Sequence, residues 1–184
     1  MAYTFGSNVI GASDITVISQ IAPGLANLPS TVLEPQLGEI RTGWDASLGF
    51  AEFIYLKVPT TTAIAANLLV QWTSGYTVAL LPVLATSKNT GHQVAVAPVA
   101  YSSLTPVQYG WFQISGQANV LKTAVSASPD SVVYASGTAG RIKMLTSAGG
   151  QITGLRTANA ATVSAAVSLV LCYMNRPAMQ GQTT

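Results

Sequence analysis

TANAATVSAAVSLVLCYMN, Thr157 to Asn175, is the stretch on which the reading of the fold turns. It carries no charge and is bracketed by Arg156 and Arg176, the outline of a membrane span. Its internal order argues otherwise. Val163, Ala165, Val167, Leu169, Leu171 and Tyr173 are apolar at odd positions. Thr162, Ser164, Ala166, Ser168 and Cys172 are small or polar at even ones, and Val170 breaks the rule. A period of two puts alternate side chains on opposite faces, so Thr162 to Met174 reads as a long half-buried strand and not as a membrane helix.

Working outward, the same alternation recurs. Ile15, Val17 and Ile21 mark an early strand-like pattern. Ala51 to Lys57 sets Phe53 and Tyr55 on one face, Ile54 and Leu56 on the other. Leu68 to Trp72 is a continuous apolar run, as expected of a strand buried on both faces. Tyr76 to Leu84, Gln93 to Tyr101, Gln108 to Ser115, Gln117 to Lys122 and Ser131 to Ala135 are further strand candidates. Arg141 to Thr146 and Gln151 to Arg156 flank Gly149-Gly150, which predicts a hairpin. Thr60 to Ala66, rich in Ala, predicts a short helix. Turn signals about every ten residues predict an all-β chain, a single β-sandwich or barrel with a jelly-roll-like form among the options. Pro23, Pro29 and Pro35 fall within Ala22 to Gly38, which reads as an extended arm. The expected organisation is an N-terminal strand and arm over 1–38, the β core over 39–176 and a polar tail over 177–184.

Composition narrows the function. Apolar residues make up 49% of the 184, an ordinary globular share, whereas charged residues make up 8% against an average near 25%. Val58 to Ser87 and Asn89 to Leu121 contain no Lys, Arg, Asp or Glu, and Ser and Thr supply roughly a fifth of the chain. Charge normally keeps monomers apart, so such a surface favours association with copies of itself or with a partner. The eight basic residues are scattered and the net charge is +2, which predicts no direct nucleic-acid partner. The single cysteine, Cys172, excludes an intrachain disulfide. Met1 to Ile10 lacks the basic and apolar regions of a signal peptide.

The residues of catalysis are sparse. His92 stands alone in a polar turn, which reads as a solvated loop residue. No G-x-S-x-G elbow and no phosphate-binding glycine loop occurs, and nothing singles out two of the six acidic residues as a working pair. Glu52 lies in a strand, where a lysine or arginine could pair with it. The expectation is a protein without enzymatic activity and without cofactor or metal. Among the aromatics, Trp72 reads as core. Tyr109 and Trp111 share one face of a strand whose other face, Phe112 and Ile114, already offers a core side; they are either interface anchors or half of a strand buried twice. Trp44 follows the proline-rich arm and would hold it to the core.

Three motifs carry a resemblance. Leu37-Gly38 through Trp44-Asp45, continuing into Ala51-Glu52-Phe53-Ile54-Tyr55-Leu56-Lys57, is the first. Gln108-Tyr109-Gly110-Trp111-Phe112-Gln113-Ile114-Ser115-Gly116 is the second, and Asn175-Arg176-Pro177-Ala178-Met179-Gln180-Gly181-Gln182 the third. In this order they resemble the capsid decoration (cement, head-stabilising) proteins of tailed bacteriophages. Ala51 stands where that family commonly has glycine, and Ala178 where it often has a larger apolar residue, departures that bear on local turns and tail docking. Residues before Leu37 lie outside the resemblance. It implies a structural virion protein, made in the host cytoplasm, that sits on the outer surface of the expanded head and bridges capsomers. The implied partners are the major capsid protein and further copies of the chain, as a homotrimer in preference to a homodimer, with no membrane and no nucleic acid. The candidate interface is Ile15, Val17, Ile21, Trp44, Tyr109, Trp111 and Arg176, with the arm lying on a neighbouring subunit. The alternative is a head fibre or a receptor- or glycan-binding module on the virion surface.

Overall fold

The computed structural model describes residues 4–5, 19–20, 36–61, 63–83, 92–101 and 108–181. Among these there is no helix, so the all-β expectation holds and no helix long and apolar enough to cross a membrane is present. The strands are β1 (Thr4–Phe5), β2 (Ser19–Gln20), β3 (Ile40–Asp45), β4 (Gly49–Val58), β5 (Leu69–Trp72), β6 (Val78–Leu80) and β7 (Val94–Val96). Then come β8 (Gln108–Gln113), β9 (Ser115–Lys122), β10 (Val132–Ala135), β11 (Ile142–Lys143), β12 (Gln151–Thr157) and β13 (Ser168–Met179). They form an eight-stranded sheet in the order β1-β3-β4-β8-β7-β5-β6, with β2 added to β8, and a closed barrel β10-β11-β9-β13-β12.

The last strand shows how closure selects side chains. In β13 it is the even face that turns inward: Val170, Cys172 and Met174 are at most 1% exposed, while Leu169 and Tyr173 are 46% and 55% exposed. A ring of five strands has a narrow lumen that side chains must fill without crowding. Ala118, Val120, Val133, Ala135, Val170 and Cys172 share that lumen with Ile142, Ile152, Leu155 and Met174, while Leu169 and Tyr173 stand on the barrel exterior. Burial pushes the Cys172 thiol up to about 12. Near the start of β13 the barrel carries a buried cation. Lys122 is fully buried, and its Nζ donates to the carbonyls of Ser164 at 2.6 Å and Ala166 at 2.5 Å. Burial pushes its pKa below the ordinary lysine value.

Sheet and barrel are one continuous object. β5 and β7 alternate between two cores: Leu69, Val94 and Val96 join the barrel core, while Val70 and Ala95 join a second core with Ile54, Leu56 and Phe112. The chain passes from sheet to barrel at Ile114, between β8 and β9. Ile114 N donates to Glu52 O at 2.8 Å, and its carbonyl accepts from Arg176 N at 2.8 Å. The buried Gln113 carboxamide donates to the Ser115 and Gln117 carbonyls, so the bend leaves neither oxygen without a donor. Gly116 follows at φ +89°, and a Cβ there would lie 2.5 Å from Phe50 O. Only glycine lets β9 approach β4 so closely.

Several expectations are corrected. The described residues of Thr60 to Ala66 are not helical: Ile64 is fully buried and exchanges backbone hydrogen bonds with Tyr101, while Asn67 at φ 65° turns the chain. Burial of one β-branched residue outweighs the helix preference of its alanine neighbours. Gly149-Gly150 lies in a turn, yet β11 and β12 do not pair with each other; each pairs with β10 instead. β13 continues to Met179, past the expected start of the tail, because Met179 N donates to His92 O and Ala178 bridges Gln93. Of the arm, the described parts pair within the chain, β1 with β3 and β2 with β8. Ile15, Val17, Ile21 and the prolines Pro23, Pro29 and Pro35 lie outside the described residues, while Gly38, at the end of the arm, donates its N–H to Tyr55 O at 2.8 Å.

Candidate functional site

Among the described residues, the hairpin β3–β4 presents the most exposed large apolar side chains of the sheet. Its turn is built by Asp45, whose carboxylate Oδ1 accepts from Ser47 N at 2.8 Å and Leu48 N at 3.0 Å, with Gly49 closing the turn at φ 76°. This fixes the register Trp44↔Phe50, Thr42↔Glu52 and Ile40↔Ile54. Directly opposed residues share a face. Trp44 is therefore beside Phe50 on one surface, 49% and 72% exposed, with Ile40 at 44% further along β3. Toward Ile54 the same face runs into the buried second core.

The charges on this face cancel. Arg176 reaches back from β13 and donates from Nε to Glu52 Oε2 and from Nη2 to Glu52 Oε1, both at 3.1 Å. The bond and the adjacent carboxylate hold the guanidinium above its usual pKa. An ion pair this open to solvent contributes little to stability. Its effect is local: Glu52 is kept partnered, and the surface around Trp44 and Phe50 is neutral.

The opposite face of the hairpin is interior. Ala51, Phe53, Tyr55 and Trp111 form a third core with Tyr109 packed against it. Trp111 is fully buried, its ring 5.1 Å from Tyr55 and the Arg41 guanidinium 5.5 Å from its centroid. As an interface anchor Trp111 is thus corrected: β8 is a strand buried on both faces. Tyr109 is half-buried, stacked 6.3 Å from Tyr55. Of the expected interface residues, Trp44 and Arg176 are exposed on the hairpin side, Tyr109 and Trp111 belong to the third core, and Ile15, Val17 and Ile21 are outside the described residues. Phe50 and Ile40 were not foreseen. The signal for them was present in Asp45-Ala46-Ser47-Leu48-Gly49: read as a turn, it sets Phe50 opposite Trp44.

A second exposed apolar row lies on the barrel exterior, where Val167, Leu169 and Tyr173 are 52%, 46% and 55% exposed. The β9 residues opposite Leu169, Leu171 and Tyr173, which are Leu121, Asn119 and Gln117, are uncharged. Among the described residues no group of three or more His, Cys, Asp or Glu side chains is placed to hold a metal ion, and His92 is exposed. No protein-family model matches the chain, and no curated protein matches it.

Proposed function

We propose that this chain is a structural virion protein of the decoration type, binding the outer surface of a tailed-phage head and stabilising the expanded capsid by bridging capsomers. The observation that carries the reading is the Trp44–Phe50 pair, presented on a neutral face of a rigid hairpin. Interface energy concentrates in a few aromatic anchors set on surfaces poor in charge. The hairpin is held from behind by the third core, so the pair is preorganised and little side-chain or loop freedom is left to lose on docking. The low charge of the whole chain, 8%, supports a protein that spends its life against other surfaces. The three motifs that resemble decoration proteins supply the identity of the surface. The patch is small for a stable pairwise complex, which typically buries about 800 Å² per partner. Repetition around a symmetric head raises the avidity of such contacts by orders of magnitude.

The test uses the purified chain and heads of its phage that lack it. The parent is expected to co-sediment with expanded heads and to raise their resistance to heat. The double variant Trp44→Ser, Phe50→Ser should lose both effects while keeping the parent's circular dichroism and unfolding midpoint. Binding by the double variant equal to the parent's would refute the site, and failure of the parent to bind would refute the function.

A further inference from the structure

The barrel wall is irregular at β12. Across β12 two register breaks coincide. Between β10 and β12 the pairing jumps from Val132↔Arg156 to Tyr134↔Gln151, and between β12 and β13 from Leu155↔Met174 to Thr153↔Ala178. Two left-handed residues face each other across this bulge, Gly154 at φ 74° and Arg176 at φ 43°. A Cβ on Gly154 would lie 2.5 Å from Asn175 O, so glycine alone keeps the strands together there. Bulges and left-handed non-glycine residues concentrate at functional sites, where the surrounding structure holds them against their cost and they re-aim side chains. Here they leave a cleft of about 220 Å³ lined by Val132, Gln151, Ile152, Leu155, Arg156 and Tyr173, with Gly154 and Asn175 completing it.

We propose that this cleft binds one ring of a neutral carbohydrate. Its floor is apolar, since Ile152 and Leu155 are barrel-core residues. Its rim is polar and planar: the amides of Gln151 and Asn175 each offer donors and an acceptor, which matches a hydroxyl's need for both. The Tyr173 ring, 55% exposed, offers a flat face for the C–H side of a pyranose. The one charged lining residue is neutralised. Arg156 donates from Nε to Asp130 Oδ1 at 2.7 Å and from Nη2 to Asp130 O at 2.8 Å, so the cleft favours neither anion nor cation. The size points to a single ring, because sites for larger ligands run from roughly 300 to 1,000 Å³. This site belongs to the barrel, not to the β3–β4 hairpin, and its occupancy does not depend on attachment to a head.

Saturation-transfer NMR on the full chain tests it, with N-acetylglucosamine, methyl α-mannoside and galactose as separate probes and adenosine and sulfate as controls. At least one sugar should receive saturation, strongest at the C–H protons of one ring face, with a dissociation constant of about 1 mM or a few times higher. Tyr173→Ala should weaken that binding tenfold or more, and Gln151→Ala should weaken it independently, both with the parent's circular dichroism retained. No transfer to any of the three sugars, transfer unchanged in both variants, or a response to adenosine or sulfate alone would overturn the assignment.

Discussion

Gly116→Ala strikes the point where sheet and barrel meet. Two penalties add. At φ +89° a side chain is strained, at about 1–2 kcal/mol for a left-handed backbone. The new methyl would also lie 2.5 Å from Phe50 O, 2.8 Å from Ala51 Cβ and 2.9 Å from Ala51 Cα, two of them backbone atoms that move only if β4 moves. Overpacking of this kind costs about 1–3 kcal/mol. The stiffer unfolded chain returns about 0.4–1 kcal/mol when glycine becomes alanine. The net expectation is a loss of about 1–4.5 kcal/mol, read as a lower midpoint in urea-induced unfolding with an unchanged slope. Gly137→Ala is the control. Gly137 has nothing within 4 Å of an added Cβ and no left-handed φ, so only the unfolded-chain gain applies and its stability should rise by about 0.4–1 kcal/mol. A Gly116→Ala midpoint equal to that of Gly137→Ala would refute the close approach of β4 and β9, and with it the rigid junction.

Two further predictions concern the barrel interior. Cys172 should resist alkylation in the folded protein and react on unfolding, because its thiol is buried and raised from 9.0 to about 12. Its stabilising contribution is complete below pH 9.0 and falls as pH rises toward 12, by at most about 1.4 kcal/mol per pH unit, and Cys172→Ala should remove that part of the slope. Lys122 has the opposite sign. Its folded pKa is lowered, so the unfolded chain binds more protons between that value and the ordinary 10.5, and stability rises with pH across the window. Lys122→Met should abolish that rise and speed amide exchange over 164–168, where the ammonium now holds two carbonyls.

The all-β class was legible because period-two alternation is local. Phe53 and Tyr55 do face one core, and Ile54 and Leu56 another, as their spacing predicts. Which face of β13 turns inward was not legible, since it depends on how β9, β10, β11 and β12, separate stretches of the chain, close a ring around it. β3 escaped notice because Ile40-Arg41-Thr42-Gly43-Trp44-Asp45 holds two charges and a glycine, and it is a strand chiefly through its pairing with β4. Phe50 goes with it: its place opposite Trp44 follows once Asp45 to Gly49 is recognised as the turn of a β3–β4 hairpin. Trp111 could be read either way from its strand alone, and only the third core, assembled from β4 and β8, decides that it is interior. The Glu52–Arg176 contact spans 124 positions; a partner for Glu52 was expected, but its identity comes from the fold.

The central proposal is that the chain coats a phage head, and the most direct test is its copy number in purified particles relative to the major capsid protein. The account predicts a copy number that scales with that of the capsid protein, in the hundreds for a head of ordinary size, with the particles losing heat resistance when the gene is deleted. A handful of copies per particle, or none, would contradict it.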